Sequence, residues 1–277
     1  MDVITVNVGQ GSLVVVRHNK EAIIADSRIP PCGDETVAYA KGVLAECLKG
    51  YCVQGLILTG FDADHSDATG VGLILPKYRP EWIMYPTCFK DTEEAADVFE
   101  IIEREEKARA NTDNPLKRVS VCLDNVGHRM LTNLSDNFEF ELFSPHKADM
   151  DSSNNSSIVL RLTGQGAGGF SYLITGDTET ERWDNINRFF GAALRSDVMA
   201  APHHGSITSV NAETLLLVEA DTILISAGVD NQYGHPDSQA VEAFQKVAKH
   251  VFSTNVEGGV SLFTKIGNGG FETELFR

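Results

Sequence analysis

The chain has 277 residues, enough for one large domain or two small ones and for a substantial buried core. Hydrophobic residues make up 42% and charged residues 22%, an ordinary balance for a globular protein. With 23 Lys and Arg against 39 Asp and Glu, the net charge of −16 argues against a nucleic acid held by phosphate contacts alone. Small or metal-bridged substrates, or a basic partner protein, fit that charge better. A nuclease stays open, because metal ions neutralise phosphate locally.

The cysteines are Cys32, Cys47, Cys52, Cys88 and Cys122, an odd number with no CxxC pair, so a reduced, cytoplasmic setting is expected rather than a disulfide framework. The opening MDVITVNVGQ lacks the basic and apolar regions of a signal peptide, and no apolar run approaches the ~20 residues that span a membrane. A single free-standing domain over residues 1–277, without a membrane partner, is the expectation.

Residues 2–8 alternate as a strand, with Ile4, Val6 and Val8 on one face and Val3, Thr5 and Asn7 on the other. Gly9-Gln10-Gly11-Ser12 reads as a turn, and residues 13–17 and 22–25 read as strands joined by a hairpin turn at 18–20. Residues 34–49 carry apolar groups at helical spacing (Val37, Ala40, Val43, Leu44, Cys47, Leu48) and stop at Gly50. An apolar run at 55–59 then breaks into an acidic loop holding Asp62, Asp64, His65 and Asp67. Three carboxylates and an imidazole this close repel one another when empty, and a bound divalent cation reverses that sign.

Pro76 is expected to end a short helix after this loop. Residues 81–85 read as a strand and 91–109 as a long helix with a solvated charged face. Further strands are expected at 119–123 and 138–143, the latter alternating Phe138, Phe140 and Leu142 against Glu139 and Glu141. His128 and His146 read as solvated loop histidines. The polar run Asp151 to Ser157 precedes a strand at 158–162. Residues 170–175 form a strand ending in Gly176-Asp177, ahead of a helix at 179–188. A carboxylate at the end of a buried strand is costly unless it is paired or bound to a metal. A strand at 197–201 leads into Pro202-His203-His204-Gly205-Ser206, and one at 222–227 leads into Asn231-Gln232-Tyr233-Gly234-His235-Pro236. A helix at 237–249 and strands at 251–254, 259–264 and 271–275 complete the chain, with no internal repeat at the residue level.

The motifs VGQG, DADH, NNSS, TGD, HHGS and YGHP, in this order over residues 8–236, resemble the metallo-β-lactamase superfamily, and within it the ComEC branch of competence proteins. The superfamily loop Thr-His-x-His-x-Asp-His aligns with Thr59-Gly60-Phe61-Asp62-Ala63-Asp64-His65, so Gly60 stands where the first metal-binding His would be. Asp26 falls where the family places an Asp near the metal. The resemblance implies an α/β (α+β) fold, a four-layer αββα sandwich with metals between two sheets.

It also implies a metal set of Asp62, Asp64, His65, Asp177 and His203 or His204, with the choice between the two histidines open. Asp64, His65, Asp177 and one of those histidines make a complete mixed-donor site suited to Zn²⁺, and Asp62 with Asp177 a poorer, oxygen-rich one suited to Mn²⁺, giving one or two ions per chain. Asp64 is expected to orient a metal-activated water, and His235 to act as a general acid or to orient substrate. Asn155, Ser206, Tyr233 and His235 are the expected substrate-binding residues. The implied activity is phosphodiester hydrolysis, with DNA the leading substrate. The alternatives are a phosphodiesterase for a cyclic nucleotide or choline phosphoester, and a degenerate hydrolase domain serving as a subunit of a larger complex.

Overall fold

The opening strands form a meander of β1 (Asp2–Thr5), β2 (Val14–His18) and β3 (Glu21–Ala25), paired antiparallel. Asn19 and Lys20 turn the β2–β3 hairpin with φ of 45° and 75°, the left-handed pair whose twist matches the flanking strands. The structure, a computed structural model, describes residues 1–29, 34–87, 90–126, 129–149 and 152–277. Cys32, Cys88, His128 and Asp151 lie outside the described residues.

After β3 the chain alternates helix and strand: α1 (Asp34–Cys47), β4 (Cys52–Ile57), α2 (Ala68–Tyr78), β5 (Trp82–Pro86), α3 (Glu93–Arg109) and β6 (Lys117–Val121). Strands β3 to β6 pair in parallel and in sequence order. The second half repeats the plan. A short helix α4 (Leu123–Val126) precedes the antiparallel strands β7 (Met130–Leu131), β8 (Phe138–Ser144), β9 (Val159–Gly164) and β10 (Ser171–Ile174). Then α5 (Thr180–Phe190), β11 (Val198–Ala200), α6 (Ala212–Val218), β12 (Thr222–Ile225), α7 (Ser238–Val247) and β13 (His250–Ser253) extend the sheet in parallel. The last two strands, β14 (Ser261–Gly267) and β15 (Gly270–Phe276), return to the first sheet beside β1.

Among the described residues this gives an eight-stranded sheet, β15-β14-β1-β2-β3-β4-β5-β6, and a seven-stranded sheet, β13-β12-β11-β10-β9-β8-β7. Parallel strands laid down in sequence with right-handed crossovers carry their helices on one face of the sheet. Each sheet therefore keeps a second apolar face, and the two free faces pack on each other. The buried residues divide accordingly. Ile4, Val15, Ile24 and Leu56 meet Leu44, Val71 and Ile102 of α1 to α3. Val14, Val16, Ile23 and Trp82 meet Phe140, Leu160, Leu162 and Tyr172 between the sheets. Val159, Leu173 and Met199 meet Trp183, Leu215 and Phe244 of α5 to α7. Val14 and Val16 face the other sheet while Val15 faces the helices, the period of two expected of a strand buried on both sides. The architecture is the expected four-layer αββα sandwich.

One local expectation needs correction. Pro76 lies inside α2, which runs on to Tyr78 and ends at Arg79 in the left-handed conformation. The missing N–H forgoes one bond near the end of the helix, and the buried face of Val71, Ile74 and Leu75 holds the last turn in place. Glu141 is buried, and Arg129 and Arg161 both pair with its carboxylate. Helix α6 falls within a stretch given no element from sequence; its signal was Asn211, whose side chain caps Thr214 N–H. The charged face of α3 is solvated as expected, while Ala95, Val98 and Ile102 are buried. Cys47, Cys52 and Cys122 are free thiols. Among the described residues, no helix is long and apolar enough to cross a membrane.

Candidate metal centre

The carboxyl ends of β3, β4, β10, β11 and β12 converge at one edge of the interface between the sheets. Asp26, just past β3, has a φ of 58° and turns its carboxylate back toward the loop after β4. Its Oδ1 accepts hydrogen bonds from the amide and hydroxyl of Thr59, each at 2.8 Å. Its Oδ2 accepts from Nδ1–H of His65 at 2.8 Å. That bond fixes the ring and aims Nε2 at Asp177 Oδ1, 2.7 Å away. A carboxylate behind the distal nitrogen of a ligand histidine is the usual support for a metal-binding imidazole.

Two glycines make the close approaches possible. Gly176, with φ of 51°, turns the chain out of β10 so that Asp177 enters the site, and a Cβ there would lie 2.7 Å from Ser157. A Cβ at Gly11 would lie 2.5 Å from the Asp64 carbonyl oxygen. The amide of Ser12 donates to that same oxygen at 2.8 Å, so the Gly-Gln-Gly turn braces the acidic loop.

The structure brings Asp64, His65, Asp177 and His204 together, with one ligand atom from each within 4.8 Å of the others. Of the two adjacent histidines, His204 is the one in this group. Its Nδ1–H donates to the Ser226 carbonyl at 2.8 Å. Its buried Nε2 has no hydrogen-bond partner among the described residues, and lies 3.4 Å from Asp64 Oδ2 and 3.7 Å from Asp177 Oδ1. His203 stands on the other side of Asp177, 3.7 Å from its Oδ2 and 3.9 Å from Glu179 Oε1. Both histidines have positive φ, 48° and 55°, a strain of about 1–3 kcal/mol each that the surrounding structure must hold.

The charges show what this group lacks. Burial works against a charge on His65, but Asp177 and Asp26 overcome it and hold its pKa well above 6.5. Burial likewise opposes charge on His204, and Asp177 and Asp64 raise its pKa. Burial disfavours the Asp177 and Asp64 carboxylates, yet the histidines beside them keep both pKa values below the usual range. Protons on imidazole thus balance the buried Asp177 carboxylate and the half-buried Asp64 one. A divalent ion bound to the same two nitrogens and two carboxylates would take over that role. The unpartnered Nε2 of His204 and the mixed nitrogen and oxygen donors fit such an ion.

The other expected site residues lie apart from this group. Asp62 pairs with Lys90 through one carboxylate oxygen and accepts from Ser153 through the other. Asp67 caps α2 through Gly70 N–H at 2.6 Å, and burial pushes its pKa up to about 6. Asn155 accepts from Glu179 N–H at 3.1 Å, and Ser206 accepts from Thr208 N–H as the cap of a short turn. The His235 ring lies 5.6 Å from that of His203 and stacks on Tyr233 at 6.1 Å. Burial lowers the pKa of His235, with the nearby charge of His203 adding to the effect, so it is neutral near pH 7 and suits an uncharged hydrogen-bonding role. His146 pairs with Asp124 at 3.2 Å.

An open pocket of about 370 Å³ lies over Asp64 and is lined also by Gln10, Arg28, Asp62, Lys90 and Tyr233. Sequence reasoning missed Lys90 and the Ser226 carbonyl. Neither carries a signal in sequence, since one is an isolated lysine and the other a backbone group.

No protein-family model matches the sequence. The chain is 27% identical over 208 residues to ComE operon protein 3 of Bacillus subtilis, covering 75% of this chain and 24% of that protein. It is 29% identical over 142 residues to competence protein ComA of Neisseria gonorrhoeae, covering 51% of this chain and 20% of that one. The chain thus spans about a quarter or less of the length of these curated relatives. Among solved structures, CmlA, a diiron β-hydroxylase from Streptomyces venezuelae, superposes with a TM-score of 0.53 at 14% identity, over 99% of this chain and 54% of that one. In sequence the chain is similar to these competence proteins, and in fold it is similar to CmlA.

Proposed function

We propose that this chain is a metal-dependent hydrolase of phosphodiester bonds, with DNA the leading substrate. The observation that carries the reading is the buried, unpartnered Nε2 of His204, facing two ionised carboxylates and the carboxylate-braced His65. Asp64, His65, Asp177 and His204 would hold the ion, with Zn²⁺ or Mn²⁺ suited to those donors. Such an ion supplies Lewis acidity, lowering the pKa of water towards ~7 and drawing charge from a phosphoryl oxygen.

The chain's own residues do the rest. Asp26 locks the His65 ring, and the Ser226 carbonyl locks that of His204. Asp64 lines the pocket and orients the attacking water. Arg28 and Lys90 place two cations in a pocket wall that also carries Asp62, Asp64 and Glu94, in a chain whose net charge is −16. Tyr233 and His235 meet the substrate at the mouth. The similarity to competence proteins, whose name refers to DNA uptake, favours DNA and a phosphodiester partner. A cyclic nucleotide or another small phosphodiester is the second reading, favoured by the charge and by a pocket of about 370 Å³, the size of a small-ligand site.

The test measures ion content together with hydrolysis of single-stranded DNA and cyclic dinucleotides in Mn²⁺ and Zn²⁺, for the wild type and for His204→Ala. The reading expects ion-dependent cleavage that His204→Ala abolishes. Cleavage that survives His204→Ala and a chelator would refute it.

A further inference from the structure

We propose that Lys90 provides the second positive charge of this site, so that the chain works with a single metal ion. This rests on the hydrolase reading above. A two-ion centre places a second cation against the phosphoryl group, and that cation needs its own ligands. Here they are missing or engaged. Gly60 offers no side chain, and a Cβ there would meet nothing closer than Ser157 Oγ at 4.0 Å, so the space is open. Both carboxylate oxygens of Asp62 are taken, one by the Lys90 ammonium and one by the Ser153 hydroxyl. The Asn155 amide oxygen accepts from the backbone of Glu179 at 3.1 Å. Among the described residues, the group able to hold an ion is Asp64, His65, Asp177 and His204, which excludes Asp62.

Lys90 brings a charge of its own to Asp62 and to the pocket wall. Its ammonium is fixed by Asp62, yet its side chain is 36% exposed and lines the same pocket as Asp64 and Arg28. An ammonium is a compact point charge with three donors, two of which remain for an incoming phosphate oxygen when one is spent on Asp62. Asp62 is then a positioning residue for Lys90 rather than a metal ligand.

Two measurements on the full chain test this. Metal content after Zn²⁺ or Mn²⁺ loading and desalting should be one ion per chain, in the wild type and in Lys90→Met alike. Inorganic phosphate binding to the loaded protein, followed by calorimetry, should weaken about tenfold in Lys90→Met, the cost of one charge-assisted hydrogen bond. Lys90→Arg keeps the charge and should stay within about twofold of the wild type. Two ions per wild-type chain, or unchanged phosphate affinity in Lys90→Met, would overturn the inference and leave the hydrolase reading standing. A chain that takes up no ion overturns both.

Discussion

Two halves of one loop have gone separate ways. Asp64 and His65 join Asp177 and His204 in a buried, charged and incompletely satisfied group. Gly60 and Asp62, four and two residues upstream of Asp64, face open space and a lysine. Neighbours rather than exposure separate the two carboxylates, since the Asp64 side chain is as exposed as that of Asp62 but lies 3.4 Å from His204 Nε2. His65 and Asp177 are nearly excluded from water, so each must be paired, protonated or bound to an ion. The Asp62 side chain, 24% exposed, is satisfied by an ordinary surface pair that is worth little to stability. A carboxylate in an acidic loop is therefore not a metal ligand by virtue of its position in sequence. It becomes one where the fold denies it other partners.

That contrast can be broken most sharply at Asp177. Asp177→Ala removes a ligand and leaves two histidines without their buried counter-charge, so ion binding should be lost and hydrolysis should fall by about 10³-fold or more. Elemental analysis and single-turnover rates would show it, and retained ion at wild-type content would contradict the assignment. Asp26→Asn comes next. The amide can no longer hold His65 as a carboxylate does, and ion affinity should fall about 10- to 100-fold in a competitive chelator titration.

The pH dependence separates the ion-free and ion-bound forms. His65 and His204 have pKa values raised above 6.5 in the folded chain, so their stabilisation is complete below pH 6.5 and is lost as the pH rises through the folded values. The chelator-treated protein should therefore melt at lower temperature as the pH climbs above 6.5. Ion binding must displace those protons, so the increment in Tm added by Zn²⁺ should grow over the same range. An increment that shrinks with rising pH would count against histidine ligation. The smallest effects belong to the other half of the loop. Asp62→Asn should leave ion content unchanged, whereas Gly60→His combined with Lys90→Met restores a donor and frees Asp62, and should raise ion content above that of the wild type.

Much of the fold was legible because its strands are short apolar runs between turns and its helices carry apolar groups at helical spacing. The β2–β3 hairpin and α1 fall within a residue or two of their expected bounds. Pro76 was misread because tertiary packing outweighs one lost backbone bond. At the site, motif order pointed to the four residues that assemble, since each follows a buried strand. The choice of His204 over His203 depends on which ring reaches the Ser226 carbonyl, and the fate of Asp62 on Lys90, 28 residues further along the chain. Neither contact leaves a trace in local sequence.

The central claim is that Asp64, His65, Asp177 and His204 hold one divalent ion. Crystals grown with Mn²⁺ and measured for anomalous scattering test it most directly. The account predicts one strong peak per chain, at about 2.0–2.3 Å from an atom of each of these four side chains. A peak held by Asp62, or no peak beside His204, would contradict it.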